Sequence, residues 1–326
     1  MSNLSISAGL LTASLSQNVS ELRSRISTTS TEATTGRYED LTLHLSGRIG
    51  KAMLSQKAVD DIGSDRQILT LRSSRLSLIQ NSLTTIQDST SGIAARMLSA
   101  AVGEHETETA TAARDAKAAL TSTLSSLNAR YGDRFLFAGD ATASLPFPDP
   151  AGLLSDIEQI AQTATSTAEF QAQVDTYFTS PTGGWLQDVY QGSTTTSDPE
   201  GVNANHDAIR SLVTDLVILA VGGPDGGLSR LDGYGQLLQD TSLSLSSSET
   251  DITNLRADLG VFEERIANEL TSLDTQETIL VASFNQLTAR DQYEAATELQ
   301  ALEATLEASY LLTARLSQLS LLNYLG

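Results

Sequence analysis

The sequence predicts a mainly α-helical protein. Long N- and C-terminal helices form an elongated coiled-coil or helical bundle, and a small α+β domain is inserted in the middle. Three observations carry this expectation. All six prolines of the 326-residue chain fall between Pro146 and Pro224. A proline costs a helix interior roughly 3 kcal/mol, so two proline-free flanks are positive signals for helix. Both flanks repeat apolar residues at alternating spacings of three and four, the seam of helices that pair lengthwise. Only 5% of residues are aromatic while Ser and Thr fill 77 positions, which suits thin helical packing better than one thick core.

The same composition excludes several function classes. There is no cysteine, hence no disulfide framework, no thiol catalysis and no Cys-ligated zinc. The net charge of -20 opposes nucleic acid and anionic lipid as partners. No run approaches 18 apolar residues, so no spanning helix is expected. The first base is Arg23, and a Sec signal needs a basic end followed by an unbroken apolar run. The expectation is a chain that is either cytoplasmic or exported without a cleaved signal.

The first forty residues carry an apolar stripe of Leu4, Leu11, Leu15, Leu22 and Ile26 in a Ser- and Thr-rich background. Such helices are marginal alone. Two readings stay open, a weakly ordered surface helix or a segment that orders on finding partners. Next, Leu69, Arg72, Leu76, Ile79, Leu83, Ile86, Thr90, Ile93 and Met97 form a heptad seam. Its polar members Arg72 and Thr90 suggest register control. Ala113, Leu120, Leu124, Leu127 and Tyr131 continue the helical spacing.

Residues 141–228 read as the inserted domain. Turn clusters punctuate it at Pro146–Pro150, Pro181–Trp185 and Gly222–Gly227. Trp185 to Val202 reads as short strands with a loop, Asn205 to Val221 as an amphipathic helix, and Ala151 to Phe178 as one or two helices. The insert is acidic. Residues 1–134 hold 14 bases and 13 acids, residues 135–326 hold 6 and 27.

Beyond the insert, Ile252, Leu255, Leu259, Phe262 and Ile266 resume the seam, and Leu270 and Leu273 shift its phase like a stutter. Leu280, Phe284, Leu287, Leu299, Leu302, Leu306, Leu312, Leu316 and Leu319 follow. Neither Gly nor Pro occurs from Val261 to Leu325. One continuous helix over 251–325 is therefore expected, roughly 110 Å long at 1.5 Å per residue.

No enzyme is legible. Ser46-Gly47-Arg48-Ile49-Gly50-Lys51-Ala52 fails as a phosphate loop because Leu45 and Ala52 stand where Gly and Ser or Thr are needed. His44, His105 and His206 lie far apart and form no zinc spacing. No Gly-x-Ser-x-Gly elbow exposes a serine. No catalytic residue, cofactor or metal is expected.

Specific segments resemble the bacterial flagellin superfamily. Thr35-Gly36-Arg37-Tyr38-Glu39-Asp40 is similar to the break after that superfamily's first terminal helix. Asn128-Ala129-Arg130-Tyr131-Gly132-Asp133-Arg134-Phe135-Leu136-Phe137-Ala138-Gly139, followed by Pro146-Phe147, is similar to the segment closing its N-terminal helical region. Ser320-Leu321-Leu322-Asn323-Tyr324-Leu325 resembles the terminus of members at the hook–filament junction. The likeness covers about residues 1–145 and 230–326.

What the resemblance implies is a structural component of the bacterial flagellum, a hook-associated protein that adapts filament to hook. A filament flagellin is the alternative, and another secreted coiled-coil protein of a type III system the second. The implied layers place 1–40 and 290–326 innermost, 41–140 and 229–289 as the long-helix bundle, and 141–228 outermost. The implied assembly interface is Leu4, Leu11, Leu15, Leu22, Leu306, Leu312, Leu316, Leu319, Leu322, Tyr324 and Leu325. A structural turn is implied at Gly132, Phe135, Phe137, Gly139, Pro146 and Phe147. The implied partners are further copies in a ring, the adjoining hook-side junction protein, flagellin, and an export chaperone for the C-terminal helix. Neither nucleic acid nor membrane is among them. The implied place is the extracellular flagellum, reached without signal cleavage.

Overall fold

The computed structural model describes residues 2–224 and 226–325, with side chains described over 13–224 and 226–315. In chain order the elements begin with α1 (Ser2–Thr35), α2 (Leu41–Leu45), a 3-10 turn (Ser46–Arg48), α3 (Ile49–Thr90), α4 (Ile93–Val102) and α5 (Glu106–Leu127). Then come strands β1 (Arg130–Tyr131) and β2 (Arg134–Phe135), α6 (Pro150–Thr163), α7 (Thr167–Thr179), a π-turn (Trp185–Val189) and α8 (Asp207–Val221). A 3-10 turn (Leu228–Arg230), α9 (Tyr234–Thr288) and α10 (Gln292–Leu325) complete the chain. The protein is mainly α-helical. Among the described residues its one sheet is the antiparallel pair β1–β2.

The chain forms two compact units, residues 1–66 with 272–326, and residues 67–271. In the first unit the start of α3 lies antiparallel to the end of α9. Ala52, Ser55, Val59, Ile62 and Arg66 are buried or half-buried on one side, and Leu273, Glu277, Leu280, Phe284 and Leu287 are half-buried on the other. Both sets alternate spacings of three and four, as lengthwise pairing requires. Arg66 closes this seam on Asp274, at 2.7 Å, and on Glu277.

The second unit has the thicker core. Leu69, Leu76, Ile79, Leu83 and Ile86 of α3 are buried, as are Ile252, Leu255, Leu259 and Ile266 of α9. Gln80 donates to the Arg256 carbonyl at 2.9 Å, and Gln87 to the Thr253 hydroxyl at 2.8 Å. The burial rhythm on α9 contains two consecutive steps of four at Phe262, Ile266 and Leu270, the phase shift that a stutter produces. Beside these lies α5, whose Ala112, Ala113, Ala116 and Ala119 are buried. Small side chains let α8 approach closely. On α8, Ile209, Leu212, Val213, Leu216, Val217, Ile218, Leu219 and Val221 are all buried. From Leu212 to Leu219 only Thr214 is not fully buried, so this stretch of the helix is covered on nearly every side.

Three expectations are corrected. The helix expected over 251–325 is two helices, α9 and α10, separated at 289–291. The seam from Leu69 to Met97 is broken at Gly92, which adopts φ +75° between α3 and α4. The strands expected between Trp185 and Val202 are a π-turn and irregular chain, because Trp185, Val189 and Tyr190 turn inward together onto one aromatic cluster. Within the second unit, α8 supplies much of the core that it shares with α5.

Candidate assembly interface

In the first unit α1 and α10 lie antiparallel. Their seams read from the sequence as four-three repeats. Leu15, Val19, Leu22, Ile26, Thr29 and Ala33 are buried or half-buried on α1, and Ala295, Leu299, Leu302, Leu306, Ser309 and Thr313 on α10. Polar contacts fix the register. Arg23 Nε donates to the Tyr310 hydroxyl at 2.9 Å, and Arg25 pairs with Glu298 at 3.3 Å. Gln292 Nε2 donates to the Thr34 carbonyl at 3.4 Å.

This seam is thin. Thr29, Ala295 and Leu302 are buried, but Tyr310, Leu311 and Leu312 are 41%, 66% and 55% exposed and Tyr293 is 83% exposed. Two helices bury too little apolar surface to be strongly stable alone. The exposed side chains leave further apolar area for other helices to cover.

Two chain breaks face each other at one end of this helix pair. Gly36 ends α1 at φ +65°, its amide donating to the Glu32 carbonyl at 2.8 Å, the left-handed closure glycine permits. Asp40 caps α2 by accepting from the Leu43 amide at 2.9 Å. On the other side Asp291 caps α10, accepting from the Tyr293 amide at 2.8 Å and the Glu294 amide at 3.2 Å. The breaks then hydrogen-bond to one another. The Tyr38 amide donates to the Thr288 carbonyl at 3.1 Å, and the Arg290 amide to the Gly36 carbonyl at 2.9 Å. Arg37 donates to Asn285 at 2.8 Å. Gly36, Arg37, Tyr38 and Asp40 of the Thr35–Asp40 stretch thus each take a distinct part here.

Side chains reinforce the joint. The Arg290 guanidinium, 12% exposed, pairs with Glu32 and Glu298. Its Cζ lies 5.3 Å from the Tyr38 ring centroid, and Tyr38 stacks on His44 with centroids 3.6 Å apart. Glu32 also accepts from the Glu39 amide at 3.0 Å.

The second unit contains the residues from Gly132 to Phe147. Gly132 takes φ +60° in the two-residue loop of the β1–β2 hairpin, where positive φ is required. Phe135 is half-buried and Phe137 fully buried. Gly139, also at φ +60°, runs so close to the Ser193 and Thr195 carbonyls that a Cβ would collide with both. Pro146 is buried and its carbonyl accepts from the Gln191 amide at 2.9 Å. Phe147 sits among Trp185 and Tyr190, with ring centroids 5.5 Å and 5.8 Å away. Burial raises the Tyr190 hydroxyl pKa, and its oxygen lies 3.1 Å from the Phe137 carbonyl and 2.9 Å from that of Ser193.

Of the interface residues read from the sequence, Leu15, Leu22 and Leu306 lie in the α1/α10 seam. Leu312 lies outside it, exposed, because Ser309 and Thr313 take the seam positions there. Leu4, Leu11, Leu316, Leu319, Leu322, Tyr324 and Leu325 belong to side chains outside the described residues. Sequence reasoning named Tyr38 only within the Thr35–Asp40 motif and missed Glu32, Arg290 and Glu298. One signal was present, because Asp291-Gln292-Tyr293-Glu294 has the acid-x-x-Glu form of a helix start. Among the described residues no helix is long and apolar enough to cross a membrane, and no three His, Cys, Asp or Glu side chains gather as metal ligands.

Residues 244–325 match the family model described as the bacterial flagellin C-terminal helical region. None of the curated proteins matches the chain. Among solved structures, FlgL of Bacillus cereus is similar at 13% identity, covering 71% of this chain and 97% of that one, with a TM-score of 0.30. That score is too low to equate the two arrangements. The likeness lies in the C-terminal quarter, where most of α9 and all of α10 match the bacterial flagellin C-terminal helical region.

Proposed function

We propose that the chain is a structural, non-enzymatic subunit of the bacterial flagellum, placed at the hook–filament junction, where it adapts filament to hook. The observation that carries the flagellar part is the match over residues 244–325, the segment whose α10 pairs with α1. The junction assignment rests on the resemblance of Ser320–Leu325. In this reading α1 and α10 lie innermost, the long helices next, and residues 141–228 outermost. Leu4, Leu11, Leu15 and Leu22 meet Leu306, Leu316, Leu319 and Leu322, with Tyr324 and Leu325, in an inner lining that neighbouring copies share, and the exposed Leu312 faces such a neighbour. Each copy offers different surfaces to its neighbours, the heterologous contact that builds rings and tubes. The net charge of -20 keeps free copies apart before assembly. The partners are further copies, the hook-side junction protein, flagellin, and an export chaperone holding α10. The route is export without signal cleavage to the cell exterior.

The second reading is a filament flagellin, favoured by the description of the matching family model itself. Immunogold labelling of purified flagella with antibody against this chain separates the two. A single short band between hook and filament supports the junction subunit. Label along the filament overturns it in favour of a flagellin. No label on flagella overturns both and favours another secreted coiled-coil protein.

A further inference from the structure

We infer that Arg290 is a latch that makes the pairing of α1 with α10 and the closure of the two chain breaks a single cooperative event. The inference concerns the folding of the first unit and does not depend on the flagellar reading. Arg290 lies in the second break, yet its guanidinium serves three other segments. Glu32 comes from the last turns of α1, Tyr38 from the first break, and Glu298 from the second turn of α10. A guanidinium is a flat fork of five donors that can engage two carboxylates and lie over a ring at once. It does all three only while α1 lies beside α10.

The carboxylates are shared in turn. Glu32, with its side chain 5% exposed, takes the Glu39 amide as well as Arg290. Glu298 takes Arg25 as well as Arg290. Separation of α1 would carry Glu32 away and release the Arg290 guanidinium from the pair that holds it in place. The Arg290 side chain would then turn to water, and its contact with the Tyr38 ring, which ties one break to the other, would be lost. Opening the breaks would conversely withdraw Arg290 and Tyr38 from the helix pair. Arg37, the other arginine of the breaks, faces Asn285 and Phe284 instead, so it offers no substitute. Neither pairing nor closure is left at its full strength without the other.

The absence of cysteine allows spin labels at chosen sites in the full chain. Cysteines replacing Ser16 and Thr305 report helix pairing, and cysteines replacing Ser30 and Ser283 report the joint. Trp185, fully buried in the second unit, is the lone tryptophan and shows by its fluorescence that this unit stays folded. Distance distributions are compared in the parent, in Arg290→Ala, and in Leu302→Asp, a seam change that leaves the latch residues in place. Cooperation predicts narrow distributions in the parent and broadening of both in each variant, with Trp185 emission unchanged. If Leu302→Asp loosens the pairing distance while the joint stays narrow, the latch does not couple them and the inference fails. It fails equally if Arg290→Ala loosens the joint alone, or leaves both narrow. Glu32→Gln, which keeps the side-chain shape, repeats the test should Arg290→Ala disturb Trp185.

Discussion

Asn128 grips the backbone of Phe147 with both ends of its amide. Its Nδ2 donates to the Phe147 carbonyl at 2.8 Å, and its Oδ1 accepts from the Phe147 amide at 2.9 Å. The grip fixes where the chain returns after the β1–β2 hairpin and sets the Phe147 ring against Trp185. Replacing Asn128 by Ala strands a part-buried donor and acceptor, at about 1–3 kcal/mol. Urea unfolding of Asn128→Ala, followed by Trp185 fluorescence, is expected to show a loss of roughly 2 kcal/mol with an unchanged m-value. A loss under a few tenths would mean that water replaces the amide at both positions.

Gly132 and Gly139 share a φ of +60° but not their surroundings. Nothing lies within 4 Å of a Cβ built on Gly132, whereas one on Gly139 meets two backbone carbonyls. Gly132→Ala therefore adds only the left-handed backbone strain, about 1 kcal/mol. Gly139→Ala adds a collision that forces the Ser193–Thr195 loop away, and its loss is expected to exceed the other by roughly 2 kcal/mol. Thermal unfolding of the two variants side by side makes the comparison. Equal losses would show that the loop moves freely.

Periodicity made the helices legible because pairing along a seam leaves a mark at every third or fourth residue. The seams of α3 and α9 and the stutter at Phe262–Leu270 could be read directly, but which helix pairs with which could not. The break at 289–291 could not be read from Gly or Pro, because the side chain of Asp291 starts α10 while the end of α9 is held by backbone hydrogen bonds with Gly36 and Tyr38. The strands expected between Trp185 and Val202 misread an aromatic-rich segment whose rings converge on one cluster instead of alternating between two faces. Arg72 was legible as a misfit in an apolar seam, but its partner was not, since Glu200 lies 128 residues away. The Arg290 joint depends on four residues that only folding brings together.

Asp215 is a buried carboxyl inside an apolar helix. It accepts from the Ser248 hydroxyl at 2.7 Å and the Ser244 hydroxyl at 3.1 Å, tying α8 to α9. Burial pushes its pKa from an ordinary 3.8 up to about 6, against the opposing pull of the two hydroxyls. A raised acid pKa means the folded state holds the proton more tightly than the unfolded one. Its contribution is thus most favourable below pH 4 and declines as pH rises through 4 to 6, by about 3 kcal/mol over those two pH units at about 1.4 kcal/mol each. Asp215→Asn keeps an acceptor for the serines and removes the charge. The variant is expected to be more stable than the parent at pH 7.5, with the advantage shrinking steadily toward pH 4. Paired urea titrations across that range test it. An advantage independent of pH would mean that Asp215 does not titrate in this window.

Arg72 and Glu200 form an ion pair whose two members are unequally buried. The Arg72 Nε donates to Glu200 at 3.0 Å and a second guanidinium nitrogen to the same carboxylate. The Arg72 side chain is 33% exposed and that of Glu200 only 7%. Removing the arginine leaves a buried carboxylate alone, whereas removing the carboxylate frees an arginine that can turn toward water. Arg72→Met is therefore expected to cost roughly 3 kcal/mol and Glu200→Gln roughly 1 kcal/mol. The double variant should cost less than the sum, because each change removes the partner the other would strand. Denaturant unfolding of the four proteins gives the cycle. Equal single losses that add in the double would show that Glu200 reaches water and that the segment around it is held on α3 by other contacts.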